Sequence, residues 1–190
     1  MTNLEKSVWQ WIGEKPEKVD VISENYCKTR DMFQARLEKM INDLLKGKKI
    51  GENKAYIASA IAGEIGNNSY DHNLGHWPDI PGTFFNHEFS AEKLQIVLAD
   101  RGQGVLNTLR RVKPELQNDQ NALRVAFTEK ISGRAPENRG NGLKFVRESA
   151  RAEKIHLEFY SGKAKARLNE EFKVEEAEKN VGGCLAIITI

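Results

Sequence analysis

Three strongly polar side chains, Glu64, Asn68 and Asp71, recur at i, i+4 and i+7 within AYIASAIAGEIGNNSYDH, residues 55–72. At about 100° per residue they continue the apolar stripe of Ile57, Ala60 and Ile61, so a helix here sets an acid, an amide and a second acid where the pattern calls for core. Groups of this kind desolvated without partners cost roughly 1–3 kcal/mol each. The stretch therefore either lines a site that holds water, metal or ligand, or turns its end to solvent. The chemistry on offer is specific: a carboxylate accepts a proton from water or a hydroxyl, and an amide oxygen suits a hard cation.

Two further groups carry comparable potential. Asp100 closes the short apolar run KLQIVLAD and is followed by Arg101, Gly102, Gln103 and Gly104. An acid at a strand end is well placed to bind, and the two glycines let backbone approach a flat ligand. Taken singly, the same residues also describe a strand that ends in a capped turn. Arg139, Gly140, Asn141, Gly142, Leu143 and Lys144 form a glycine-bearing loop that opens into a helix. Such a junction offers unpaired N–H groups and the positive end of a helix dipole to an anion, with basic side chains beside it. A solvated linker is the plainer reading of that stretch. His72, His76 and His87 fall near one another in sequence, but their spacing matches no standard zinc motif and no thiolate joins them.

The elements that must position these groups follow from hydrophobic periodicity. Helices are predicted over 3–13, 20–46, 55–72, 105–112, 121–131 and 142–152, and strands over 93–100, 154–162, 165–176 and 184–190. Residues 73–90, rich in Gly, Pro and aromatics, read as a long irregular loop, and the charged run 169–180 as an exposed hairpin or loop. Residues 1–50 read as a helical appendage and 51–190 as the main domain. Leu4, Val8 and Trp11 share one face of the first helix while Trp9 points the other way. Trp9 then lies along another part of the chain or docks a partner or second copy.

With 190 residues, 39% of them hydrophobic, the chain can bury a core without a disulfide or metal staple. Its 29 basic and 27 acidic residues leave a formal charge of +2, too balanced for a nucleic-acid or membrane surface, so protein and small-molecule partners are expected. The two cysteines, Cys27 and Cys184, form no CxxC pair, the N-terminus lacks the pattern of a signal peptide, and no run approaches a membrane span. A cytoplasmic protein is expected.

In their order along the chain, ExxxNxxD on a helix, a strand ending in DxGxG, a GxGL loop opening a helix and a Gly-Gly pair before the final strand resemble the ATP-binding domain of the GHKL superfamily. That domain is shared by DNA gyrase B, MutL, sensor histidine kinases and anti-sigma serine kinases. The resemblance covers roughly residues 50–190, and AFTEKISGR before the second glycine group resembles the family's ATP lid. It implies ATP and Mg²⁺ as cofactors. By the same resemblance Asn68 holds the metal, Glu64 is the general base, and Asp100 accepts from the adenine amino group, with Asp71 supporting that end. Gly102 and Gly104 let the base lie against the backbone, and the N–H groups of 140–143 hold phosphate, helped by Arg139 or Lys144.

The chain also departs from the family pattern. Where many members have Gly-Thr before the last strand, it has Gly183 and Cys184, so the hydroxyl that would assist Asp100 is missing. No N-terminal histidine suits a phosphoacceptor, and the chain is too short for the transducer domain of the gyrase and MutL types. No GxxxxGK[ST] or GxGxxG is present. The expectation is an α+β, two-layer α/β sandwich (Bergerat fold) with a mixed sheet. By size it resembles stand-alone anti-sigma kinases, acting as an ATPase or passing a phosphoryl group to a protein partner. A nucleotide-gated interaction regulator is the alternative, and homodimerisation stays open.

Overall fold

The structure, a computed structural model, describes residues 1–48, 50–90, 93–131 and 142–190. In chain order the elements are α1 (Asn3–Gly13), β1 (Tyr26–Cys27), α2 (Arg30–Gly47), α3 (Glu52–Asn73), β2 (Thr83–Ser90), β3 (Lys93–Asp100), α4 (Gly104–Arg110), α5 (Asp119–Thr128), α6 (Gly142–Ala152), β4 (His156–Leu168) and β5 (Phe172–Thr189). They form an α+β sandwich in which α2 to α6 cover one face of a five-stranded sheet ordered β1-β2-β3-β5-β4. Where a mixed sheet was expected, every pairing between described strands is antiparallel. β2 with β3 and β4 with β5 are neighbours both in sequence and in the sheet, which needs no crossover helix.

The two faces carry separate apolar cores. Phe33, Ile61, Phe127 and Ile188 belong to the helix-side core, whereas Val8, Trp11, Phe84 and Val97 belong to the core under α1. Residues 1–50, expected as an appendage, thus supply β1 to the sheet edge, α2 to one core and α1 to the other. The predicted helix over 20–46 starts only at Arg30, where the Thr29 hydroxyl caps it by accepting from Met32 N. Helix α1 begins on a capping box, with Thr2 and Glu5 satisfying each other's backbone N–H groups. Trp9 packs edge-on against Tyr160 of β4 at 5.0 Å between ring centroids, so it lies along its own chain. Beneath α1 the Trp11 indole N–H is buried with no hydrogen-bond partner among the described residues.

The predicted loop 73–90 ends in a full strand, β2. Phe84 and Phe85 point to opposite faces and are both buried because helices cover both, which removes the in-out alternation that marks a strand. Likewise β5 begins at Phe172 and takes in most of the charged run, pairing Arg167 with Lys173 and Ala166 with Val174. Among the described residues no helix is long and apolar enough to cross a membrane.

Close packing of α2 on α3 uses two glycines of α3: a Cβ at Gly63 would lie 3.1 Å from Leu37 Cδ2, and Gly66 is tighter still. A Cβ built at Gly66 would lie 2.1 Å from Cζ of Phe33, a fully buried ring that also packs on Phe85. Alanine's better helix propensity, worth about 1 kcal/mol, is therefore outweighed. Gly66→Ala should destabilise the fold by about 1–3 kcal/mol in urea unfolding, whereas Gly13→Ala, with open space around it, should change stability little.

Candidate functional site

A cavity opens between α3, α4, α6 and the ends of β3, β4 and β5, with about 830 Å³ of empty space including its open mouth. Its walls are largely apolar, with Ile65, Val105, Leu109, Ile131 and Phe159, and a few polar groups converge on its two ends.

Asp100 forms the buried end, being only 2% exposed. Its Oδ2 accepts from Ser69 Oγ at 2.7 Å, and its Oδ1 accepts from Gly102 N at 2.8 Å and from Asn73 Nδ2 at 3.5 Å. Burial pushes the Asp100 carboxyl up, and the hydrogen bonds from Ser69, Gly102, the Cys184 N–H and Asn73 pull against it. Asn73 also accepts from Gln103 N at 2.9 Å and donates to Ser69 O at 2.8 Å, which ties the turn after β3 to the last turns of α3.

The sheet register extends this end sideways. Thr83, Asp100, Cys184 and Ser161 lie opposite one another across β2, β3, β5 and β4. The Ser161 hydroxyl accepts from Val105 N at 2.9 Å and donates to Gly183 O at 3.0 Å. It thereby joins the first turn of α4 to the start of the final run of β5. Gly183 has φ +98°, and a Cβ there would meet Asp100 O at 2.1 Å, so the second glycine of the pair is demanded by close approach of β5 to β3, while Gly182 has open space around it. The Cys184 thiol lines the cavity, and burial, with Asp100 beside it, holds it protonated well above the ordinary thiol range.

Glu64 and Asn68 stand at the other end, both half-buried and both lining the cavity. The first residue of α6 lies against them: a Cβ at Gly142 would sit 2.1 Å from Glu64 Oε1 and 3.1 Å from Asn68 Nδ2. Only glycine lets the helix start come this close to the acid and amide. Leu143 also lines the cavity, and Gly104, at φ +76°, lines it from the turn after β3. His72, on α3 just before Asn73, also lines the cavity, and its burial, with Arg111 nearby, lowers its pKa and favours the neutral ring.

The structure therefore brings Glu64, Asn68, Asp100, Gly104, Gly142 and Leu143 to one cavity. Arg139, Gly140 and Asn141 lie outside the described residues, as does the rest of the loop 132–141. Lys144 is half-buried on α6 and does not line the cavity. Gly102 lies behind Asp100 instead of in the cavity wall, because the Asn73 side chain occupies the space where its Cβ would be, at 2.1 Å. Asp71 is not among the residues that line the cavity. It pairs with Arg30 at the start of α2, away from the cavity. Of the stripe Ile57, Ala60 and Ile61, only Ile61 is fully buried and Ala60 is exposed; the buried face runs through Ala58, Ile61 and Ile65. Counting about 100° per residue, that face continues through Ser69 and Asn73, while Asp71 keeps the side of Glu64 but stands roughly 10 Å further along the axis, where Arg30 pairs with it.

Among the described residues no group of three or more His, Cys, Asp or Glu side chains could hold a metal ion. His76 is exposed and His87 lies on β2 beside Phe85. Compared with known proteins, the chain matches no family model, and no curated protein matches it significantly.

The Ser69 hydroxyl serves the ionised form of Asp100, so Ser69→Ala should cost roughly 1–3 kcal/mol of stability where that carboxylate is charged. Removing the donor raises the Asp100 pKa further in the folded state. The deficit should then shrink as pH falls through the titration of Asp100, where folded protein of both kinds is protonated. Urea unfolding across a pH series checks this, and a deficit independent of pH would contradict it.

Proposed function

We propose that this chain is a GHKL-type ATP-binding domain that holds Mg-ATP and either hydrolyses it or passes its γ-phosphoryl group to a partner protein. One observation carries the reading. A single apolar cavity has a buried carboxylate fixed by three residues at one end and an acid and amide against a glycine-started helix at the other.

The chemistry of each end supports an adenine nucleotide. Asp100 offers a fixed acceptor to the exocyclic amino group of adenine, whereas guanine carries a carbonyl at that position. Val105, Leu109, Ile131 and Phe159 supply apolar surface for a planar base. The hydroxyl that the family takes from a threonine beside the last strand has a counterpart in Ser69, which reaches Asp100 from α3. Gly142 leaves the start of α6 open toward Glu64 and Asn68, a setting in which helix N–H groups meet phosphate. Asn68 would be the protein's ligand to Mg²⁺, an ion that takes most of its remaining coordination from phosphates and water. When bound, the metal neutralises charge on the phosphates. Glu64 is placed beside that end to accept a proton from the attacking water or hydroxyl.

Calorimetric titration tests the reading. The purified protein should bind ATP saturably, bind it more weakly when Mg²⁺ is withheld or Asn68 is replaced by Ala, and fail to bind GTP comparably. Glu64→Gln should keep ATP binding and lower turnover by at least about 100-fold, the usual reach of a general base. Absence of ATP binding under every condition would overturn the assignment. Binding with no turnover in either protein would favour a nucleotide-gated regulator.

A further inference from the structure

Resting on the nucleotide reading, we propose that Arg101 is a positioning residue that couples the nucleotide cavity to the docking of α1 on the opposite face of the sheet. Arg101 lies between Asp100 and Gly102 in the chain, and strand alternation sends its side chain away from the cavity. It is nine-tenths buried there and fully engaged. Its NH1 donates to the carbonyls of Trp11 and Ile12 at 3.0 and 2.9 Å, in the last turn of α1. Its Nε and NH2 form a forked pair with Asp79 at 3.0 and 2.6 Å, and the guanidinium lies 5.9 Å from the Trp11 ring centre.

One arginine thus satisfies helix-end carbonyls that lack intrahelical partners, holds the chain before β2 and stacks on the indole that anchors α1. On the other side of the same three-residue turn, Gly102 N holds Asp100 Oδ1. A shift of α1 that drags Arg101 alters the Asp100 to Gly102 geometry that the adenine would read, and a nucleotide that locks this geometry locks α1. Linkage makes the two effects equal in free energy. A protein that bound the exposed side of α1 or pulled it from the sheet would then change ATP affinity without entering the cavity.

The test combines amide hydrogen exchange over residues 3–13, with and without saturating ATP, and calorimetric ATP affinity, in wild type, Arg101→Met and Asp79→Asn. In wild type, ATP should slow exchange in the last turn of α1. Arg101→Met should bind ATP about tenfold more weakly, within the roughly 5–150-fold range of measured couplings, and lose the ATP-dependent protection. Asp79→Asn, which loosens the clamp without removing it, should fall between. A purely structural role would lower melting temperature in the variants but leave ATP affinity unchanged and α1 exchange indifferent to ATP. That result overturns the proposal. Should Arg101→Met fail to fold by circular dichroism, wild-type exchange and Asp79→Asn affinity decide. Wild-type protein that binds no ATP sinks the nucleotide reading itself, and the coupling with it, and so is told apart from ATP binding without coupling.

Discussion

Burial of the Asp100 carboxylate is the constraint on which the rest of the site depends. A carboxylate withdrawn from water costs several kcal/mol unless donors surround it, and here they come from three separate elements: Ser69 and Asn73 on α3, Gly102 in the following turn and the Cys184 backbone on β5. Ser69 and Asn73 are one helical turn apart, so meeting both fixes the rotation of α3 about its axis as well as its height over the sheet. Once that rotation is set, the side of α3 that carries Glu64 and Asn68 is set with it, and both line the same cavity. The positions of the acid and amide at the far end are thus consequences of how the near end is satisfied.

The same turn also joins the two halves of the molecule. Successive residues on a strand face opposite ways, so Asp100 looks into the helix-side cavity while Arg101 reaches under α1. Glycines at 102, 104 and 183 make the turn compact enough for Asn73 and β5 to close on it, each occupying a space that a side chain would fill. The polar row Thr83, Asp100, Cys184 and Ser161 then spans four strands at one level of the sheet. It gives this edge of the cavity a rigid polar seam between two apolar cores.

Much of the architecture was legible in the sequence. The spans of α1, β3 and α6, the sandwich class and the acid at the end of β3 follow from periodicity and strand punctuation. What was hidden has physical causes. β2 carries Phe84 and Phe85 in succession because both of its faces are covered, so alternation is absent. Asp71 shares the helix side of Glu64 and Asn68, and only its distance along the axis, roughly 10 Å beyond Glu64, carries it to Arg30, which no spacing within α3 reveals. Following Ala58, Ile61 and Ile65 onward would have reached Ser69 and Asn73. The partnership of Ser69 with Asp100 and of Arg101 with α1 joins residues 31 and about 90 positions apart, a separation that no local pattern spans.

The most direct measurement compares the affinity of the purified protein for ATP and for inosine triphosphate, which replaces the adenine amino group with a carbonyl and leaves ribose and phosphates unchanged. Asp100 as a fixed acceptor predicts that the inosine nucleotide binds at least about tenfold more weakly, the loss of one buried hydrogen bond and the opposition of two acceptors. Equal affinity for the two would contradict a role for Asp100 in reading the base, and with it the central claim that this cavity is built around an adenine nucleotide.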